Sequence, residues 1–558
     1  MRIARVEIKN FRSIETLDLE LPQLCALVGP NNAGKSNIML ALSRVLGSDW
    51  SPRVDYFDDV KDRFRHESGR DIEIKVWLDP PIAYKRFVKA DPVSIPCLVF
   101  TLTRYQQGPE AGHPRLAQTC TDAAGKTIMV LKEAPKTGKQ HVLEPLTSIP
   151  RELQAQLPLI YIKADRRLWN QLPRGRNSVL RLLLEDIDAA FHDPGNTIEV
   201  ERPDGTTVTM ARSERWRQLM KHALSLLRTT EFVELEDEIN RNALRQLGFH
   251  PKDDDLTLAF GALNTNDFYR ALDLQLTEAG LTVDALDLGQ GFQNAVIMAI
   301  LEAYEKRRKQ GAVFLIEEPE ISLHPQSQRA LFRTLRAISR DNQVVYATHS
   351  PHFVGIPEYQ NVRLVRRADG ATRVRASSLP AGDQVHERLL KEVDPERGEL
   401  FFARRVLFVE GDTEKLALPE YAARLGLDLD RAGGTIVEVG GKGNLLPLAK
   451  LAQSFCIPSA VLYDADSRDF KQQPERELEL NDELAAWDDG LDNRSWCLDA
   501  KYEDVLRKTL GEEEYQRLCQ EHAGPGKATA PRRIAADTNT KIPDEIQEVL
   551  RWLAGGAS

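Results

Sequence analysis

Two carboxylates stand two residues apart where an apolar run gives out, in AVLYDADSRD at 460–469. Side chains alternate along an extended chain, so Asp464 and Asp466 share one side of it. Asp469 follows and reads as a solvated loop residue. Upstream, ARRVLFVEGDTEKLALPEYAARLG carries Glu410 and Glu414 where another apolar run ends. Carboxylates gathered at one place repel unless cations neutralise them. An all-oxygen donor set selects a hard divalent ion, Mg²⁺ or Mn²⁺, and no neighbouring His or Cys argues for zinc.

A second constellation lies near the start, in LCALVGPNNAGKS at 24–36. A short apolar strand runs into Gly29-x-x-x-x-Gly34-Lys35-Ser36, and a periodic helix, NIMLALSRVL, follows. This is a P-loop in its required strand–loop–helix setting. Its backbone N–H groups, with those of Asn31, Asn32 and Asn37, are expected to wrap phosphates at a helix N-terminus. Lys35 would reach the β- and γ-phosphates of ATP, and Ser36 would ligate Mg²⁺. The partner strand is AVFLIEEPE at 312–320. There Glu317 would hold Mg²⁺ through water, and Glu318 would polarise the attacking water. A further strand, QVVYATHS, ends at His349, placed to sense a γ-phosphate.

Elements must bring these residues together. The order strand, helix, strand, helix, strand over 405–464 predicts a parallel sheet. Strands of such a sheet end at one edge, so Glu410, Asp464 and Asp466 should converge there. VRLVRRADGATRVRASSL at 362–379 reads as a hairpin turning at Asp369-Gly370. The stretch 70–160 is rich in strands, and 177–248 looks mostly helical. Lys163, Arg166, Arg167, Arg174 and Arg176 form a basic cluster, either solvated or in contact with phosphate.

The chain has 558 residues, enough for three or four domains. We divide it into an ATPase part at 1–170, a helical insertion at 171–249 suited to dimerisation, a second ATPase part at 250–395, and a C-terminal α/β domain at 396–558. A net charge of −10 argues against a surface uniformly coated for nucleic acid, although local basic patches and bound cations can reverse the field. No long apolar run suggests a membrane span, and the charged, alternating start lacks a signal-peptide core. Six Cys without a C-x-x-C read as reduced thiols of a cytoplasmic protein.

Residues 286–304, LDLGQGFQNAVIMAILEAY, join a Gly-rich turn to a long helix. With the P-loop, this resembles the RecF/SMC-like branch of ABC-type ATPases. The resemblance implies that Gly291 contacts the nucleotide of a second subunit, so that a homodimer or higher even oligomer forms, and that Arg12 lies near the nucleotide. Gln290 and Phe292 depart from the usual Ser and Gly, and Glu317 from the usual Asp. EG-x-x-E with D-x-D resembles the Toprim domain.

An ABC head joined to a Toprim domain resembles the OLD (overcoming lysogenization defect) nucleases over nearly the whole chain. That implies ATP binding and two-metal DNA cleavage with Mg²⁺ or Mn²⁺, in phage defence or DNA processing, beside a helicase partner. Glu410, Asp464 and Asp466 would hold one metal, and Glu414 the second. Glu503, with Asp499 and Asp504 as rivals, matches a further acidic ligand; Ser467 could add a weak one. Lys527 matches a late lysine that offsets charge on the reacting phosphate. A topoisomerase would need a Tyr-bearing DNA gate, for which too little chain remains. The other reading is an ATP-driven DNA-binding sensor with an inactive Toprim domain.

Overall fold

The computed structural model describes residues 1–46, 58–67, 69–134, 142–154, 156–164, 168, 172, 178–202, 205–247, 264–307, 311–380, 382, 384–391, 396–465, 474–498 and 501–555. Two compact units divide the chain: Met1–Ala164 with Gln310–Ser558, and Asp165–Lys309. The second unit is thus wider than the helical block at 171–249 and takes in the Gly-rich turn at 286–292.

In the first unit, two sheets share one apolar core. The N-terminal sheet has five antiparallel strands. The other has six strands, in the order Ala371–Arg375, Val362–Ala368, Leu24–Val28, Gln343–Thr348, Val313–Glu317, Leu159–Ile162. All neighbours in it run parallel except the 362–375 hairpin. Its central strands are buried on both faces and so read as unbroken apolar runs. Helix Lys35–Leu46 packs Ile38, Leu42 and Val45 into the core between the sheets.

The hairpin at 362–375 turns through Asp369 and Gly370, both at positive φ, and braces the P-loop from below. A Cβ on Gly29 would lie 1.9 Å from Val365 O, and one on Gly34 would lie 2.1 Å from Thr372 Oγ1. Thr372 Oγ1 donates to Ala33 O at 2.8 Å and meets Ser13 Oγ at 2.7 Å. Ser13 Oγ in turn accepts from Asn37 Nδ2 at 2.7 Å.

From residue 405 the chain builds a parallel four-stranded sheet, ordered Gly434–Glu438, Arg405–Val409, Ser459–Asp464, Asn493–Leu498. Leu407, Val409, Ala460 and Leu462 point to one face, into a core shared with helices Asp412–Arg424, Tyr502–Leu510 and Asp544–Leu553. Helix Leu445–Ser454 contacts the same strands and covers the other face. The short helix Gln384–Leu389 links the two halves of this unit. Its His386 Nδ1 meets Tyr359 Oη at 2.9 Å, and Arg388 Nη1 donates to Gly443 O at 2.8 Å.

In the second unit, helices Val179–His192, Arg212–Leu226 and Thr230–Leu247 are present, but a β-hairpin interrupts them. Thr197–Glu201 pairs antiparallel with Thr207–Ala211. The helices make up most of 177–248, as the sequence suggests; the hairpin is the exception, because TIEV and TVTM alternate with a period of two that helix-forming neighbours mask.

Gly29→Ala tests how closely the P-loop and hairpin meet. The overpacking should cost about 1–3 kcal/mol. Thermal unfolding should show a lower Tm, with weaker nucleotide binding; an unchanged Tm would contradict the packing.

Candidate functional site

The P-loop lies against the ends of two strands. Asn31, Asn32, Gly34, Lys35, Ser36 and Asn37 line one cavity of about 270 Å³ with Glu317, Glu318 and His349. Parallel register produces this meeting, because Leu24–Val28, Gln343–Thr348 and Val313–Glu317 all end at the same edge. Lys35 is buried and folds back onto its own loop, donating to Gly29 O at 2.7 Å and Pro30 O at 2.9 Å. Burial lowers its pKa to about 8, against the opposing pull of Glu318 and Glu320. His349 Nε2 stands 3.9 Å from Glu318 Oε1. Burial and then Lys35 lower the His349 pKa, so the imidazole favours its neutral form.

Glu317 uses the reach of its extra methylene. Its Oε1 accepts from Tyr161 Oη at 2.8 Å, on the neighbouring strand Leu159–Ile162, and its Oε2 from Ala164 N at 3.1 Å, just past the end of that strand. Glu320 holds His349 in place: its Oε1 accepts from His349 N at 2.6 Å and Thr348 Oγ1 at 2.9 Å. Neither Tyr161 nor Glu320 stood out in the sequence. The only signal was an acidic residue two beyond Glu318, in a turn where acids are common. Arg12 Nε donates to Asp62 Oδ1 at 2.7 Å, and Asn37 braces Ser13. Gly291 lies in the first turn of the Gln290–Arg307 helix, in the second unit.

The second site is the edge of the four-stranded sheet. Glu410 follows strand Arg405–Val409, and its Oε1 accepts the Asp464 N–H at 2.9 Å. The sheet therefore brings these two carboxylate residues together as neighbours across parallel strands. Glu414 lies one turn into helix Asp412–Arg424 and is buried. Its pKa rises to about 7, chiefly through burial and further through the charges of Glu410 and Glu503. Glu503 sits in the first turn of helix Tyr502–Leu510. Three carboxyl groups thus share one field.

Lys527 lines a cleft of about 760 Å³ with Asp412 and Thr413, at the N-terminus of the helix that follows Glu410. Asp466 lies outside the described residues, as do Ser467, Asp469, Asp499 and, in the basic cluster, Arg166, Arg167, Arg174 and Arg176. Among the described residues, no three His, Cys, Asp or Glu side chains stand in ligating geometry. The donor chemistry nevertheless fits a hard divalent ion: Glu410, Glu414 and Glu503 offer carboxylate oxygens, and their mutual repulsion is what a cation relieves.

Lys442 likewise has no distinctive signal in the sequence. It sits in VEVGGKGN, where a strand gives way to a helix. It is buried, and its Nζ donates to Asp464 O.

The fold and the two sites define an ABC-type ATPase head joined to a Toprim domain. The AAA ATPase domain model matches residues 1–144 and 159–354. The model described as "Overcoming lysogenization defect protein-like, TOPRIM domain" matches 401–466. An OLD nuclease of Thermus scotoductus is 30% identical over 475 residues, covering 83% of this chain and 82% of its own length. The endonuclease GajA of Bacillus cereus is 23% identical over 79% of this chain and 71% of its own, and the Old nuclease of Escherichia phage P2 is 22% identical over 84% and 77%. The chain belongs to the OLD nuclease family. Among the described residues, no helix is long and apolar enough to cross a membrane.

The lowered Lys35 pKa has a measurable consequence. Nucleotide phosphates stabilise the ammonium, so binding takes up a proton once pH exceeds about 8. In EDTA, ATP affinity should be flat below that value and fall above it, by up to about tenfold per pH unit. Calorimetry on wild type and Lys35→Met checks this: the variant should bind weakly with no such break, and a wild-type profile without the break would refute the assignment.

Proposed function

We propose that the chain is a divalent-metal-dependent DNA endonuclease that hydrolyses phosphodiesters at the Glu410–Asp464 edge under control of its ATP-binding head. The observation that carries this reading is that Glu410, bonded to the Asp464 N–H at the sheet edge, shares one electrostatic field with Glu414 and Glu503, near the cleft that Lys527 lines. Glu410, Asp464 and Asp466 hold one Mg²⁺ or Mn²⁺, and Glu414 with Glu503 serves a second. When bound, such ions supply an activated water and relieve charge on the leaving oxygen.

The protein's own residues do the rest. The carboxylates orient the site, and the cleft seats the DNA backbone. Lys527 places a cation where charge develops on phosphorus, as an electrostatic stabiliser must. No covalent protein intermediate is needed.

In the head, Asn31, Asn32, Gly34, Lys35 and Asn37 shape the loop around ATP, and Ser36 and Glu317 serve its Mg²⁺. Glu318 orients water, His349 senses the γ-phosphate, and Gly291 serves the nucleotide of a second copy. Support for coupling comes from the hairpin at 362–375. It touches the P-loop through Val365 and Thr372, and Arg366 of the same hairpin donates to Ala403 O. Further on, Ser377 Oγ meets Ser454 Oγ at 2.8 Å on helix Leu445–Ser454. ATP-driven closure of two heads then gates DNA access. The exposed Leu235 and Ile239, one turn apart on helix Thr230–Leu247, favour a homodimer through that helix.

Incubation of full-length protein with supercoiled plasmid and Mg²⁺ or Mn²⁺ tests the proposal. Nicked and linear products should appear, and Asp464→Ala should lower their rate at least about a hundredfold, the scale of losing a central electrostatic group. Lys35→Ala should retain cleavage but lose its response to ATP. Intact supercoil together with tight DNA binding would favour the inactive-Toprim sensor.

A further inference from the structure

The exit of the Asp464 strand is held by four hydrogen bonds on two consecutive residues. The Asp464 N–H goes to Glu410 Oε1 at 2.9 Å, and its carbonyl accepts from Lys442 Nζ. One residue on, the Ala465 N–H goes to Leu498 O at 2.9 Å, and the Ala465 carbonyl accepts from Asn481 Nδ2 at 3.0 Å. Two side chains from separate elements thus take two successive carbonyls. Both carbonyls belong to the short link between the aspartates of D-x-D.

Neither side chain is placed casually. Lys442 is 6% exposed, and its ammonium lies 5.5 Å from the centre of the Tyr463 ring. Burying a lone ammonium is costly, so its presence needs compensation from carbonyls, ring and neighbouring negative charge. The turn that delivers it has Gly440 and Gly441 at φ 75° and 118°, and the Gly441 N–H donates to Glu410 O at 2.9 Å. One loop therefore touches both carboxylate-bearing strand ends. Asn481 comes from helix Pro474–Trp487, which packs against the outer strand Asn493–Leu498.

A strand end free to rotate about its last dihedrals swings its carboxylates by more than a metal site tolerates. Ligands need placement within about 0.5 Å and 10–20°. We propose that Lys442 and Asn481 are positioning residues of the nuclease site. Each fixes one carbonyl of the Asp464–Ala465 link, and together they hold the backbone from which the Asp464 carboxylate leaves the sheet edge. This rests on the nuclease reading above.

The test is Mn²⁺ titration of the full-length chain by calorimetry, without nucleotide or DNA, paired with plasmid cleavage over a range of Mn²⁺ concentration. Lys442→Met and Asn481→Leu should each weaken Mn²⁺ binding about tenfold, as loss of a ligand-orienting partner does. The Mn²⁺ concentration for half-maximal cleavage should rise in step, while the rate at saturating Mn²⁺ stays within about threefold. Lys442→Arg, which keeps a cationic donor, should recover most of the affinity.

A lower Tm with wild-type Mn²⁺ affinity in both variants would mark a structural role only and overturn the proposal. Should Lys442→Met not fold, Asn481→Leu decides alone. Glu410→Gln separates the two readings. If it abolishes Mn²⁺ binding and cleavage while the Lys442 and Asn481 variants change neither, the positioning role alone falls. If it leaves both intact, the nuclease site is misassigned.

Discussion

Repulsion among carboxylates gathered at the end of a parallel sheet is the constraint on which the C-terminal half depends. Parallel pairing of Arg405–Val409 with Ser459–Asp464 leaves Glu410 and Asp464 no choice but to be neighbours. Glu414 and Glu503 then add negative charge from two helix N-termini. Such an arrangement is stable only with hydrogen-bond donors aimed at it, with partial protonation, or with cations. The chain supplies the first two itself. The Asp464 N–H satisfies one oxygen of Glu410, and burial pushes the Glu414 carboxyl up to about 7. The helix N-termini contribute their positive ends as well.

The head obeys a related rule with the opposite sign. There the parallel sheet ends in a loop of N–H groups and one buried lysine, a place made for phosphate. Both sites use the same property of α/β architecture, that strand ends and helix starts share an edge. Between them run the 362–375 hairpin and the Gln384–Leu389 helix, each bonded to both halves. Arg388 reaches Gly443, next to Lys442, so the linker meets the very loop that fixes the Asp464 carbonyl. The P-loop and the Glu410–Asp464 edge are thus joined by packed, hydrogen-bonded elements.

Local sequence carried much of this. The P-loop, the Asp369-Gly370 hairpin and the 405–464 alternation were legible because period, turn chemistry and glycine placement agree there. Glu410, Glu414 and Asp464 were legible because acid at the end of an apolar strand is unusual in company. Lys442, Asn481, Tyr161 and Glu320 were not. Each acts by reaching main chain or a carboxylate far away in sequence, and a Lys after two glycines or a Tyr in a strand has no distinctive local pattern. The hairpin at 197–211 was hidden by strongly helical flanks.

The central claim is that the Glu410–Asp464 edge is where divalent metal binds. Anomalous diffraction at the manganese edge, from crystals of the full-length chain grown with Mn²⁺, tests this most directly. The account predicts a peak in contact with both Glu410 and Asp464, and a second beside Glu414. Manganese found only at the P-loop, with the Toprim edge empty at saturating Mn²⁺, would contradict it.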